Sequence, residues 1–81
     1  MQLYAIYDIA TRQFGQVIME HNDATAERAV KTELMNRESM LAKHPQDYEL
    51  WRLATYQQES GEVVADKERI ARVIDYANAA N

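Results

Sequence analysis

The chain contains no cysteine, so no disulfide can brace it, and the thiolate ligands of most structural zinc sites are missing. Proline occurs once and glycine twice, at the widely separated Gly15 and Gly61. Such spacing excludes a glycine-rich loop wrapped around a phosphate, and with it the common nucleotide-hydrolysing sites. No apolar run approaches the ~20 residues of a membrane-spanning helix, and the amino terminus lacks a basic region followed by an apolar stretch. These absences predict a soluble cytoplasmic protein without a signal peptide. Positive charge is also scarce. Nine Lys and Arg stand against thirteen Asp and Glu, a formal charge of −4, so the chain as a whole repels nucleic acid and DNA contact would need a local basic patch.

What is present is a folded protein's composition: 47% hydrophobic residues, five tyrosines and one tryptophan in 81 residues. That length allows a single domain, 1–81, which buries only about two-thirds of the surface its unfolded chain exposes. A core so thin calls for support. With disulfides excluded and zinc disfavoured, a partner subunit is the remaining means, and a homodimer is the simplest form of it.

Local patterns give the order of elements. Leu3 to Ile9 is rich in β-branched and aromatic residues and reads as a strand; Phe14 to Glu20 reads as its hairpin neighbour, with Gly15 at a bulge or close approach. Asn22 or Asp23 can cap a helix from Ala24 to about Arg37, with Ala26, Ala29, Val30 and Leu34 on one face and Glu27 spaced to pair with Lys31. Pro45 ends any helix over Met40 to Lys43. Tyr48 to Tyr56 then forms a strand with Tyr48, Leu50, Arg52, Ala54 and Tyr56 on one side and Glu49, Trp51, Leu53 and Thr55 on the other. Ser60-Gly61 is a turn, and Glu62 to Ala65 a short returning strand. Asp66 is placed to cap a last helix from Lys67 to Ala79, where Ile70, Val73, Ile74 and Ala77 recur at helical spacing, with Asn78 to Asn81 frayed. The expected fold is α+β, ββαββα, a four-stranded antiparallel sheet with two helices on one face.

Little of this sequence carries chemistry. His44 and Asp47 are the one neighbouring pair with the look of an acid–base dyad, but no nucleophile or oxyanion donors accompany them. Asp47 is better explained as a hydrogen-bond acceptor in a turn nucleated by Pro45. His21 and His44 have no metal-ligand spacing, so we expect no catalytic residue, no metal and no cofactor. The nearest approach to a nucleic-acid surface is Arg28, Lys31, Lys43 and Arg52 beside Tyr48 and Trp51, although Trp51 and Arg52 point to opposite sides of one strand. Tyr4, Tyr7, Trp51 and Tyr56, with Phe14 and Tyr48, are candidates for core or dimer interface, where aromatics dominate burial. Met35 and Met40 beside Leu41 are either core cover or interface.

Several of these features occur together in one family. Tyr4-Ala5-Ile6-Tyr7-Asp8, Phe14, the helix centred on Ala26-Glu27-Arg28-Ala29-Val30, then His44-Pro45-Gln46-Asp47-Tyr48-Glu49-Leu50-Trp51, Ala54-Thr55-Tyr56 and Gly61 resemble the small nonstructural protein of microviruses, especially the gokushovirus-like ssDNA phages. His44 to Leu50 is the most specific part. The sequence departs from the family pattern at Ala54-Thr55, where a glycine is usual, and in a longer terminal helix. The resemblance implies a protein made in the infected bacterial cytoplasm and absent from the virion. It would act in the switch to viral ssDNA synthesis or in packaging. The expected partners are phage or host replication proteins and a second copy of itself, with weak ssDNA contact as the alternative and no membrane.

Overall fold

A computed structural model describes residues 1–79. Five strands and three helices follow one another: β1 (Gln2–Asp8), β2 (Gln13–Phe14), β3 (Ile18–Glu20), α1 (Asp23–Leu34), α2 (Met40–Lys43), a 3-10 turn (Pro45–Asp47), β4 (Tyr48–Tyr56), β5 (Val63–Arg72) and α3 (Val73–Ala79). All pairings are antiparallel, in the order β2-β1-β4-β5, with β3 also on β1. The α+β class and the antiparallel sheet agree with the sequence reading; the counts of strands and helices do not.

The first difference lies in the second strand. Phe14 to Glu20 is interrupted at Gly15–Val17, so that β2 and β3 pair separately with β1. Gly15 donates its N–H to the Ile6 carbonyl at 2.8 Å, which keeps the interrupted stretch against β1. The hairpin bend is held by Asp8, whose carboxylate accepts the Ala10 N–H at 2.9 Å, and Arg12 takes a left-handed φ of 60°.

The second difference is larger. Lys67 to Arg72 is not helix but the last six residues of a ten-residue strand, and α3 begins only at Val73. β4 is nine residues long, and β5 pairs with it from Tyr56 back to Glu49, satisfying the amides and carbonyls of a strand that carries the buried Leu50 and Ala54. That pairing overrides the helical spacing of Ile70, Val73, Ile74 and Ala77. Ile70 at the end of β5 and Val73 at the start of α3 reach the same core, so a strand-to-helix junction imitates one helical stripe. Asp66 accordingly caps nothing. α3 extends through Ala79; the expectation of fraying at residues 80 and 81 lies outside the described residues.

α1 begins as its sequence dictates. Asn22 accepts the Thr25 N–H at 3.0 Å and Thr25 Oγ1 accepts the Asn22 N–H at 3.3 Å, a reciprocal cap that satisfies two otherwise orphaned donors. The helix stops at Leu34, three residues short of Arg37. Glu27 and Lys31 do not form the expected pair; instead both reach α3, where Tyr76 donates its hydroxyl to Glu27 at 2.8 Å and Lys31 Nζ sits 5.2 Å from the Tyr76 ring. Pro45 does end α2: His44 leaves helical geometry at φ −135°, ψ 56°. The turn that follows is tied by backbone, Asp47 N–H to His44 O and Ile9 N–H to Asp47 O.

Tyr4, Leu50, Ala26, Val30 and Val73 form the buried cluster, with Ile6, Leu34, Leu41, Tyr48, Ile70 and Tyr76 packed around it. Sheet, α1, α2 and α3 all contribute, so the helices share one face of the sheet. Among the described residues no helix lies on the other face. The β4 register skips Leu53 against both neighbours, a bulge that breaks the simple alternation expected from Tyr48 to Tyr56. Ala5 and Ala54 are buried without belonging to the helix-side cluster.

Candidate functional site

Sheet alternation sorts the side chains of β1, β4 and β5 between the two faces. On the helix side Arg52 is 15% exposed and engages three carboxylates: Asp23 at 2.9 Å, Asp66 at 3.0 Å and Glu68. The Tyr4 hydroxyl donates to the same Asp23. Hydrogen bonding to Asp23 is the main cause that raises the Arg52 pKa still further, against desolvation. Tyr4 is pushed well above the ordinary tyrosine value, first by burial and then by Asp23. This assembly fastens the β4–β5 hairpin to the first turn of α1 and leaves Arg52 no charge to offer a ligand.

The uncovered side is built differently. Tyr7 and Phe14 stand opposite each other on β1 and β2, with ring centroids 4.8 Å apart. Phe14 in turn meets Trp51 of β4 edge-on at 5.8 Å. Three half-buried rings therefore run across three strands as one patch. Lys67 of β5 places Nζ 5.3 Å from both the Phe14 and the Trp51 centroids, a favourable position for a cation over ring faces. Arg69 lies opposite Trp51, and Arg72 opposite Glu49. Glu49 is 14% exposed and is already engaged, accepting from Trp51 Nε1 at 3.1 Å and from Arg69 at 3.1 Å.

The structure separates the residues singled out from sequence. Arg28 is exposed on α1, Lys31 is over Tyr76, Lys43 is 3.7 Å from Glu38 and Arg52 is inside its carboxylate ring, so these four do not make one basic patch. Tyr4 has no exposed surface and cannot serve an interface; it belongs to the core because its strand position faces α1. Tyr7 and Trp51 do lie together on the uncovered face. Tyr56 is half-buried at the end of β4, its N–H donated to Met1 O. Among the signature residues His44 is exposed, Pro45 opens the 3-10 turn, Asp47 is half-buried and Tyr48 packs on the core. Burial, aided by Asp8 and Asp47, raises the Tyr48 pKa. An apolar hollow of about 260 Å³ between the sheet and α1, bordered by Ile6, Ile18, Val30 and Leu41, has no pair of reactive groups.

Lys67, Arg69 and Arg72 were missed because the sequence reading put them on a helix, where consecutive residues spread around the axis. Their signal was the run Asp66-Lys67-Glu68-Arg69, a period-two alternation of charge instead of hydrophobicity. No helix among the described residues is long and apolar enough to cross a membrane.

Fold and face together define a small α+β domain with one aromatic, cation-edged sheet surface left open. The chain belongs to the Phage ORF5 protein family, whose model matches residues 1–76, which makes it a bacteriophage protein. That match runs through β5 and into α3. No curated protein and no solved structure matches the chain.

Proposed function

We propose that this protein is an accessory factor of ssDNA genome replication or packaging in a phage of the microvirus, gokushovirus-like kind, made in the host cytoplasm and not built into the virion. It works by binding and not by catalysis, and its working surface is the uncovered sheet face. What carries this reading is the patch of Tyr7, Phe14 and Trp51, since large aromatic groups left on an uncovered sheet face mark places where a partner is met.

Two kinds of occupant fit such a face. A protein, either a phage or host replication factor or a second copy in a homodimer, would cover the rings as the core of an interface. The acidity of the whole chain supports this occupant, and the thin core supports the homodimer. Single-stranded DNA is the second occupant, supported by the way charge is divided between the two faces.

Complementation tests the working surface itself. A phage whose own copy is disabled is supplied with the wild-type protein or with Trp51→Ala, whose folding is verified by circular dichroism. Loss of progeny ssDNA with the folded variant is expected; an undiminished yield refutes the choice of face. Sedimentation across a wide concentration range tests self-association.

A further inference from the structure

We infer that the occupant of the uncovered face is a single-stranded polynucleotide, its bases stacked on Tyr7, Phe14 and Trp51 and its phosphates met by Lys67, Arg69 and Arg72. This rests on the reading of that face as the working surface and names what the surface holds.

The net charge of −4 is not spread evenly. β5 alternates so that Asp66 and Glu68 fall on the helix side, where Arg52 binds both. Lys67 and Arg69 fall on the open side, and Arg72 lies opposite Glu49. The only carboxylate that the β4–β5 pairing brings to these cations is Glu49, already bonded to Trp51 and Arg69. A ligand approaching the β4–β5 part of this face therefore meets three cations against one occupied acid, whatever the total charge of the molecule. Screening at physiological salt confines each charge to about 8 Å, so the acids behind the sheet weigh little.

The aromatic arrangement selects among polyanions. The rings are tilted 56° and 86° to one another at centroid distances of 4.8 and 5.8 Å, so their faces look in different directions, those under Lys67 belonging to Phe14 and Trp51, and every base has a face to stack on such a ring. In a duplex those faces are already stacked on one another. Lys67 covers two of the rings at 5.3 Å; an arriving base takes its place, and the released ammonium group swings to a phosphate. A second copy docked face to face fits poorly, because an isologous contact sets the same patch against itself and would bury three cations from each copy where the β4–β5 pairing offers only Glu49, already bonded to Trp51 and Arg69.

Trp51 is the only tryptophan, so its emission reports from the site. The full chain is titrated with oligo(dT) and oligo(rU) of about 20 nucleotides, longer than the ~4–16 covered by one small single-strand-binding module, and with duplex DNA of equal length and heparin. Saturable quenching by a single strand is expected, weaker with duplex and heparin, and the preferred sugar shows whether DNA or RNA is held. Three phosphate contacts give a slope of log affinity against log salt of about −2, and Lys67→Gln, at an exposed position, reduces it by about 0.7. By anisotropy of a labelled strand, Trp51→Ala weakens binding about ten- to a hundredfold and Trp51→Phe restores most of it. The inference is overturned by absence of quenching at low salt, by equal binding of heparin or duplex, by unchanged affinity in folded Trp51→Ala, or by a dimer that covers Trp51 and excludes the strand. Loss of phage ssDNA in Trp51→Ala without any nucleic-acid binding would retain the face and reject this occupant. Strong binding with a variant phage of normal yield would do the reverse.

Discussion

Replacing Arg52 by methionine keeps an unbranched stem of similar length and removes the guanidinium that joins three carboxylates. The group is 15% exposed, while Asp23, Asp66 and Glu68 are 40%, 52% and 62% exposed. Asp66 and Glu68 are wet enough to count as surface pairs, each about 0.2–1 kcal/mol. Asp23 is better sheltered and accepts from Nη1 with both oxygens, at 3.1 and 2.9 Å, which suggests about 1–2 kcal/mol for a charged hydrogen bond after discounting for solvent. The total is about 2–3 kcal/mol, with some added repulsion among the three acids left behind. For a domain of this size the melting temperature should fall by about 10–20 °C. Urea denaturation followed by circular dichroism should give the same loss with an unchanged slope. Asp23→Asn alone should cost less, and the double variant less than the sum of the singles, because both act on one bond. A loss below about 0.5 kcal/mol for Arg52→Met, or strict additivity with Asp23→Asn, would refute the view that this assembly fastens the hairpin to α1.

Other expectations follow from particular contacts. Val73 has no exposed surface, so Val73→Ala should cost about 2–3 kcal/mol. Ile74, half-buried and outside the core cluster, should cost about 1–2 kcal/mol when cut to alanine, whereas a continuous helix from Lys67 would make both stripe residues; chemical denaturation of the two variants decides the order. Asn22→Ala should lose about 0.5–2 kcal/mol through the α1 cap, and an unchanged midpoint would mean the cap is idle. Tyr4 and Tyr76 have pKa values raised above the ordinary 10.0, by burial first and by Asp23 and Glu27 second. The folded state thus favours the neutral phenols, and their contribution is complete below pH 10 and is lost as pH rises beyond it. Ultraviolet titration should show these tyrosines ionising late or only on unfolding, and Tyr4→Phe or Tyr76→Phe should flatten the alkaline loss of stability; ordinary ionisation of all five tyrosines would contradict this.

The parts of the fold legible in the sequence are those set by neighbouring residues. Asn22 caps α1 through a residue three places on, Pro45 acts on the residue before it, and Tyr48 to Tyr56 has strand propensity throughout. The boundary at Val73 was hidden because it depends on β4, more than a dozen residues earlier, needing a partner strand. Hidden with it was most of the candidate site. Tyr7 and Trp51 could be picked out as aromatic residues of unassigned purpose, but Lys67, Arg69 and Arg72 acquire a common face only once they are in a strand. Arg52 misled for a related reason: the acids that occupy it are 14, 16 and 29 positions away, beyond any local pattern. Tyr4 could be read as core or interface but not assigned to one of them, because which face of β1 meets α1 is a tertiary choice.

β5 has a further consequence for how the protein behaves in a crowded cell. It is the outermost strand, ten residues long, with Val63 and Val64 more than half exposed, and a bare edge of that length invites other strands to add to it. Two copies of β5 laid antiparallel with their faces matched must pair residues of like parity. Centred on the charged stretch, every such register puts Lys67 or Arg69 beside a cation, or Asp66 or Glu68 beside an anion. The same alternation that sorts charge between the faces thus makes the edge repel its own copies, and a chain neutralised from Asp66 to Arg69 is the one that should grow into fibres.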